Sequence, residues 1–111
     1  MSTPPPNSSL AELSEVLGPE NVKTLVRTFL RDFPVSIRDL AAGNRKDQHR
    51  FAHSMKSNAR LMGALDLSQR MAELEERLTG KTGADCTPAD IAAIRADYEA
   101  MAGTLRDFVA D

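Results

Sequence analysis

Val22, Leu25, Val26, Phe29, Leu30, Phe33, Ile37 and Leu40 recur at intervals of three and four residues, so an α-helix would gather all of them on one side. A strand, with its two-residue alternation, would scatter the same residues over both faces. The stripe begins after Pro19, whose fixed φ suits a first helical residue, and stops at Gly43. Pro34 lies inside it and cannot donate a hydrogen bond to the carbonyl four residues back, which predicts a kink after Phe33; a break is disfavoured because the stripe continues. The same spacing then returns three times. A helix is expected from Asn44 or Lys46 to Met62, with Phe51, Met55, Ala59 and Met62 on its apolar side and Gly63-Ala64 at its end. Leu65, Leu67, Met71, Leu74 and Leu78 form the next stripe, whose outer face carries Glu73 and Arg77 at an i,i+4 spacing suited to an ion pair. After a loop over Gly80 to Cys86, Thr87-Pro88-Ala89-Asp90 supplies a cap, a first-turn proline and an acid at the third helical position. Ile91, Ile94, Tyr98, Met101, Leu105 and Phe108 complete the pattern.

Ahead of these four stripes, Leu10, Leu13, Val16 and Leu17 fit a short amphipathic helix opened by Ser8 or Ser9 and stopped at Gly18, placed to cover one end of the assembly. Residues 1–9, with three consecutive prolines among small polar residues, are expected to be a disordered tail, leaving residues 10–111 as the folded domain. No segment reads as a strand, and a chain of 111 residues makes one domain with a single core. An all-α fold is expected, with an up-down-up-down four-helix bundle and a short additional N-terminal helix.

The second long helix carries an unusual polar face. On a helical wheel Lys46, His49, Arg50, Lys56, Ser57 and Arg60 all fall within about 60° of His53, roughly opposite the apolar stripe. His53 is therefore predicted to face solvent among cations. An exposed imidazole titrates near neutral pH, and its unprotonated nitrogen is a nucleophile. Cations around it would stabilise an arriving anion, phosphate above all, and Lys56, one turn on, could reach a phosphoryl oxygen. Ser57 is small enough to leave the histidine open to another protein's surface. His49 is an equally good nucleophile by chemistry alone, but Ala52, not a lysine, stands three residues after it. Asn58 falls toward the apolar side and is expected to hydrogen-bond within the bundle. Gln69 could face the site from the following helix, and Leu61 or Leu65 could make apolar contacts with a partner.

His53, Lys56 and Gly63 match the pattern His-x-x-Lys-Gly with a further glycine about six residues on, and in this the chain resembles the histidine-containing phosphotransfer domain of two-component phosphorelays. The resemblance continues through Ala64, Leu67 and Leu74-Glu75 and would cover nearly everything after the first ten residues. Ser57 stands where the motif has glycine, leaving less room beside a phosphohistidine and bearing on partner choice or phosphoryl lifetime. The resemblance implies a carrier that takes a phosphoryl group on His53 from a receiver-domain phosphoaspartate and hands it to another receiver. Lys56 would stabilise the phosphoryl charge, while His49, Arg50, Ser57 and Arg60 would lie in the docking face. It implies partners among the receiver domains of response regulators and hybrid histidine kinases. It also implies no cofactor on this chain, with magnesium supplied by the receiver, and no autonomous kinase activity. The motif requires no dimer, so a monomer is expected. An adaptor bundle that binds a receiver or kinase through the same face without being phosphorylated, a degenerate phosphotransfer domain, is the alternative.

Composition narrows the remaining classes. A net charge of −2 and a pI near 5.7 speak against a general nucleic-acid binder. No apolar run approaches the roughly 18 residues that span a bilayer, and the first residues lack a signal-peptide pattern, so a cytoplasmic protein is expected. Cys86 has no partner for an internal disulfide, and one thiol with two histidines makes no familiar metal site. No P-loop or other nucleotide-binding pattern occurs, and no carboxylate lies close enough in sequence to His53 to suggest an acid-base pair.

Overall fold

The computed structural model describes residues 4–80 and 83–110. Five helices follow one another: α1 over Ser8–Leu17, α2 over Pro19–Ala42, α3 over Arg45–Leu61, α4 over Leu65–Thr79 and α5 over Pro88–Val109. No strand occurs among the described residues. Helix α2 packs on α3 and α5, α3 on α4, and α4 on α5, which closes an up-down-up-down bundle, while α1 packs on α2. The four long stripes meet at the centre, where Val26, Leu40, Met55, Leu67, Met71, Ile94 and Leu105 are all buried. Burial of such side chains contributes on the order of 1.5–3 kcal/mol each and supplies the main drive to fold.

Local sequence signals account for most boundaries. Thr87 accepts a hydrogen bond from the Asp90 amide through its hydroxyl, and the Asp90 carboxylate accepts one from the Thr87 amide, giving the expected cap of α5. Asn44 caps α3 by accepting from the Asp47 amide at 2.9 Å. Helix α1 begins at Ser8, inside the leader expected over residues 1–9, because the Asn7 side chain accepts from the Leu10 amide. Residues 1–3 of that leader lie outside the described residues. The Asn7 amide group also donates to the Met62 carbonyl at 2.9 Å, tying the start of α1 to the end of α3. Gly63, next in line, has φ +75°, and a Cβ there would collide with the Asn7 side chain. Glycine is thus required twice over at this turn, by backbone conformation and by the close approach of α1.

Helix α2 runs unbroken through Pro34. The carbonyl that the proline leaves without its usual amide is Leu30's, and the buried Tyr98 hydroxyl of α5 donates to it at 3.2 Å. The Tyr98 ring stacks on Phe33 at 5.4 Å between centroids and lies 6.0 Å from Phe29, so both the ring and its hydroxyl hold α5 against α2. We expect Tyr98→Phe to cost about 1–2 kcal/mol in chemical denaturation. The cost should shrink in a Pro34→Ala background, where residue 34 can supply the amide itself; equal costs in both backgrounds would refute this account of the proline.

Two expected placements change. Arg77 does not pair with Glu73: its guanidinium reaches across to Asp90 at 2.8 Å and to the Asp85 carbonyl, while Glu73 accepts from Gln69. A buttressed, partly buried bidentate pair outcompetes an exposed i,i+4 pair that must order two mobile side chains. Asn58 is exposed and lines a shallow groove with Leu25, Thr28 and Leu61, not an internal network.

Candidate functional site

Helices α3 and α4 are joined by a short turn at Met62–Ala64 and lie antiparallel, so successive turns of α3 face successive turns of α4 in reverse order. Ala52, Met55 and Ala59 pack into the core, and small alanines allow close approach. That burial fixes the rotation of α3 and presents His53 on the outer surface, with its side chain 62% exposed. The wheel prediction of an exposed His53 is met.

Its surroundings differ from those predicted. Glu75 of α4 accepts a hydrogen bond from His53 Nδ1 at 2.8 Å through Oε1, and from Lys56 Nζ at 2.7 Å through Oε2. The Glu75 side chain is 16% exposed, so a half-sheltered carboxylate joins the histidine to the lysine. His53 therefore has a carboxylate partner after all, contributed from the facing helix 22 residues away. A second expectation also changes, since His53 is not simply ringed by free cations: Arg50 pairs with Asp47 at 3.3 Å and lies over the Phe51 ring, and Lys56 is bound to Glu75. Lys56, followed by His53, holds the Glu75 carboxyl below the usual carboxylate range against the opposing effect of burial. A depressed folded-state pKa means that this clamp between α3 and α4 contributes its full stability above the ordinary glutamate pKa of about 4.3, and loses it as pH falls further.

The arrangement has a clear chemical consequence. A carboxylate at Nδ1 holds the proton on that nitrogen, which places the lone pair of the neutral ring on Nε2. Among the described residues Nε2 has no hydrogen-bond partner. The carboxylate also stabilises positive charge on the ring once Nε2 has attacked an electrophile. Lys56 retains donors beyond those directed at Glu75, since an ammonium carries three.

The other predicted residues occupy three kinds of position. Ser57 is exposed, one turn from His53, and its hydroxyl donates back to the His53 carbonyl at 3.3 Å, so it does not project over the imidazole. Arg60, Leu61 and Leu65 border an open groove of about 770 Å³ whose opposite wall is Leu13, Val16 and Leu17 of α1. Val16 and Leu65 are 80% and 66% exposed, giving an apolar surface continuous with Ser57. His49 lies half-buried against α4, where its Nε2 meets the Thr79 hydroxyl at 3.2 Å. Gln69 is exposed and occupied with Glu73, and does not join the His53 cluster. Lys46 is also exposed. Sequence reasoning missed the roles of Glu75 and of α1. The only available signal for Glu75 was its place in Leu74-Glu75, within the stretch that resembles the phosphotransfer family.

Among the described residues no group of three or more histidine, cysteine or acidic side chains is placed to hold a metal ion, and no helix is long and apolar enough to cross a membrane. Comparison with protein families gives a match to the Hpt domain over residues 24–104, which takes in α3, α4 and most of α2 and α5. No curated protein and no solved structure gives a significant match.

Proposed function

The chain belongs to the Hpt domain family and so has a phosphorelay-related role, and from that premise we propose that it is a phosphoryl carrier with His53 as acceptor. The observation that supports this most directly is the Glu75 carboxylate 2.8 Å from Nδ1 of a histidine left open at its other nitrogen. A receiver domain bearing phosphoaspartate docks over α3. His53 Nε2 attacks the phosphorus in line; the N–P bond forms as the P–O bond of the acyl phosphate breaks, and the aspartate leaves as carboxylate. No proton has to move during the step, because Nδ1 keeps its proton, donated in a hydrogen bond to the Glu75 carboxylate, and the ring's positive charge is balanced there. Lys56 turns one free N–H toward a phosphoryl oxygen while remaining bonded to Glu75. The acyl phosphate and the phosphohistidine are both high-energy links, so the step runs in either direction, and a second receiver collects the group.

Docking uses the apolar groove between α1 and the α3–α4 turn, with Leu61, Leu65 and Val16 as contacts and His49, Arg50, Ser57 and Arg60 around the histidine. The chain acts as a monomer in the cytoplasm, carries no cofactor, and has no kinase activity of its own; magnesium and most catalytic groups come with the receiver. Incubation with phosphorylated receivers tests the proposal. Acid-labile, alkali-stable phosphate is expected on this chain. A folded protein that takes no label from any member of a broad receiver panel would instead be an unphosphorylated adaptor.

A further inference from the structure

Helix α4 contacts both histidines of α3, but in opposite ways. Glu75 meets His53 through Nδ1, whereas Thr79, one turn further along α4, meets His49 through Nε2 at 3.2 Å. The Thr79 hydroxyl has a single proton, and it is donated to the Glu75 carbonyl at 2.9 Å. Its oxygen is then left with lone pairs only, so the neutral His49 ring must carry its proton on Nε2 in order to bond to it. The remaining lone pair of His49 is on Nδ1, the nitrogen next to the ring's attachment point and closest to the crowded helix backbone. We propose that Thr79 is a positioning residue that keeps His49 from competing with His53 for the phosphoryl group.

This rests on the carrier reading above and adds to it a reason why one of two neighbouring histidines is used. The two rings are chemically equivalent, lie one turn apart and share a face, and His49 is half-buried but not enclosed, so its lower exposure alone does not exclude it. Hydrogen bonding does: α4 leaves the outward nitrogen of His53 with its lone pair and caps the same nitrogen of His49. Thr79 is exposed and near the end of its helix, so its replacement does not disturb the core.

Phosphoramidate tests this without a partner protein, so failure here is separable from failure of transfer from a receiver. In its zwitterionic form the reagent's phosphorus is attacked by a ring nitrogen lone pair, a new N–P bond forms, the original P–N bond breaks and ammonia leaves. Full-length chain, its Thr79→Val variant and its Thr79→Ser variant would be labelled side by side, and the phosphate on His49 and His53 quantified by mass spectrometry. The His49 share of label is expected to rise roughly fivefold in Thr79→Val, the scale of one lost neutral hydrogen bond, and to stay at the wild-type value in Thr79→Ser. Nitrogen-15 NMR of histidine-labelled protein, in buffer alkaline enough to keep the rings neutral, gives a readout that loss of packing would not reproduce. Wild-type His49 is expected to have Nε2 protonated and Nδ1 bare, and His53 the reverse. A His49 proton on Nδ1 in the wild type, or an unchanged label ratio in Thr79→Val, would overturn the proposal.

Discussion

His53→Gln is expected to eliminate phosphoryl transfer to this chain, a fall of at least about a thousandfold and below the limit of a labelling experiment. Glutamine keeps a polar side chain of similar reach and a good helix propensity, but its amide nitrogen has no nucleophilic lone pair. Because the His53 side chain is 62% exposed and its ring contributes nothing to the core, the thermal midpoint should scarcely move, with a change within about 0.5 kcal/mol. An inactive but normally melting variant would therefore report chemistry alone. His49→Gln serves as the partner experiment and should retain labelling. Label persisting on His53→Gln, or vanishing in His49→Gln alone, would move the acceptor one turn back along α3.

Replacing Glu75 has the second largest expected effect, and two substitutions separate its contributions. Glu75→Ala removes the acceptor at His53 Nδ1 and the anchor of Lys56 together, and we expect the transfer rate to fall about a hundredfold. Glu75→Gln preserves an oxygen that accepts from Nδ1–H, but it loses the charge that balances the ring after attack and can receive only one of the two Lys56 contacts. A fall of about tenfold is expected there. Receiver affinity should change little in either variant, because the carboxylate is largely sheltered beneath His53 and Lys56 and outside the apolar groove. Stopped-flow transfer at increasing receiver concentration makes the distinction. A defect confined to the concentration dependence, with the limiting rate intact, would mean that Glu75 shapes docking and not the histidine.

Glu75 also explains why the lysine one turn after the histidine is tied down in the resting protein. With Nζ 2.7 Å from one carboxylate oxygen, Lys56 is ordered before any phosphoryl group arrives. The Lys56 and Glu75 charges offset one another within the cluster, and under the proposed carrier function a receiver would meet a prearranged donor. The Ser57 hydroxyl, at the position where the motif has glycine, is occupied by the His53 carbonyl of its own helix.

The chain's one-dimensional pattern determined each long helix, the side of it that enters the core, and several of its ends, because those properties arise within a few residues of one another. The three-and-four spacing from Val22 to Leu40, the Thr87–Asp90 cap and the outward direction of His53 all depend on contacts within one or two helical turns. Gly63 was legible as a stop, but the Asn7 side chain that occupies the space over it was not. Glu75 and His53 are 22 residues apart and Tyr98 and Leu30 are 68 apart, and a helical wheel describes only the surface of its own helix. Asn58 failed for the same reason: its angle on α3 is correct, yet whether that angle meets another helix or water is decided by the placement of the neighbouring helix. Only the packing of α3 against α4 decided which nitrogen of each histidine is bonded, since tautomer preference follows from a group brought in across the interface. Sequence thus specified an exposed histidine on a bundle helix, and tertiary structure made it a ring with one nitrogen held and the other without a partner among the described residues.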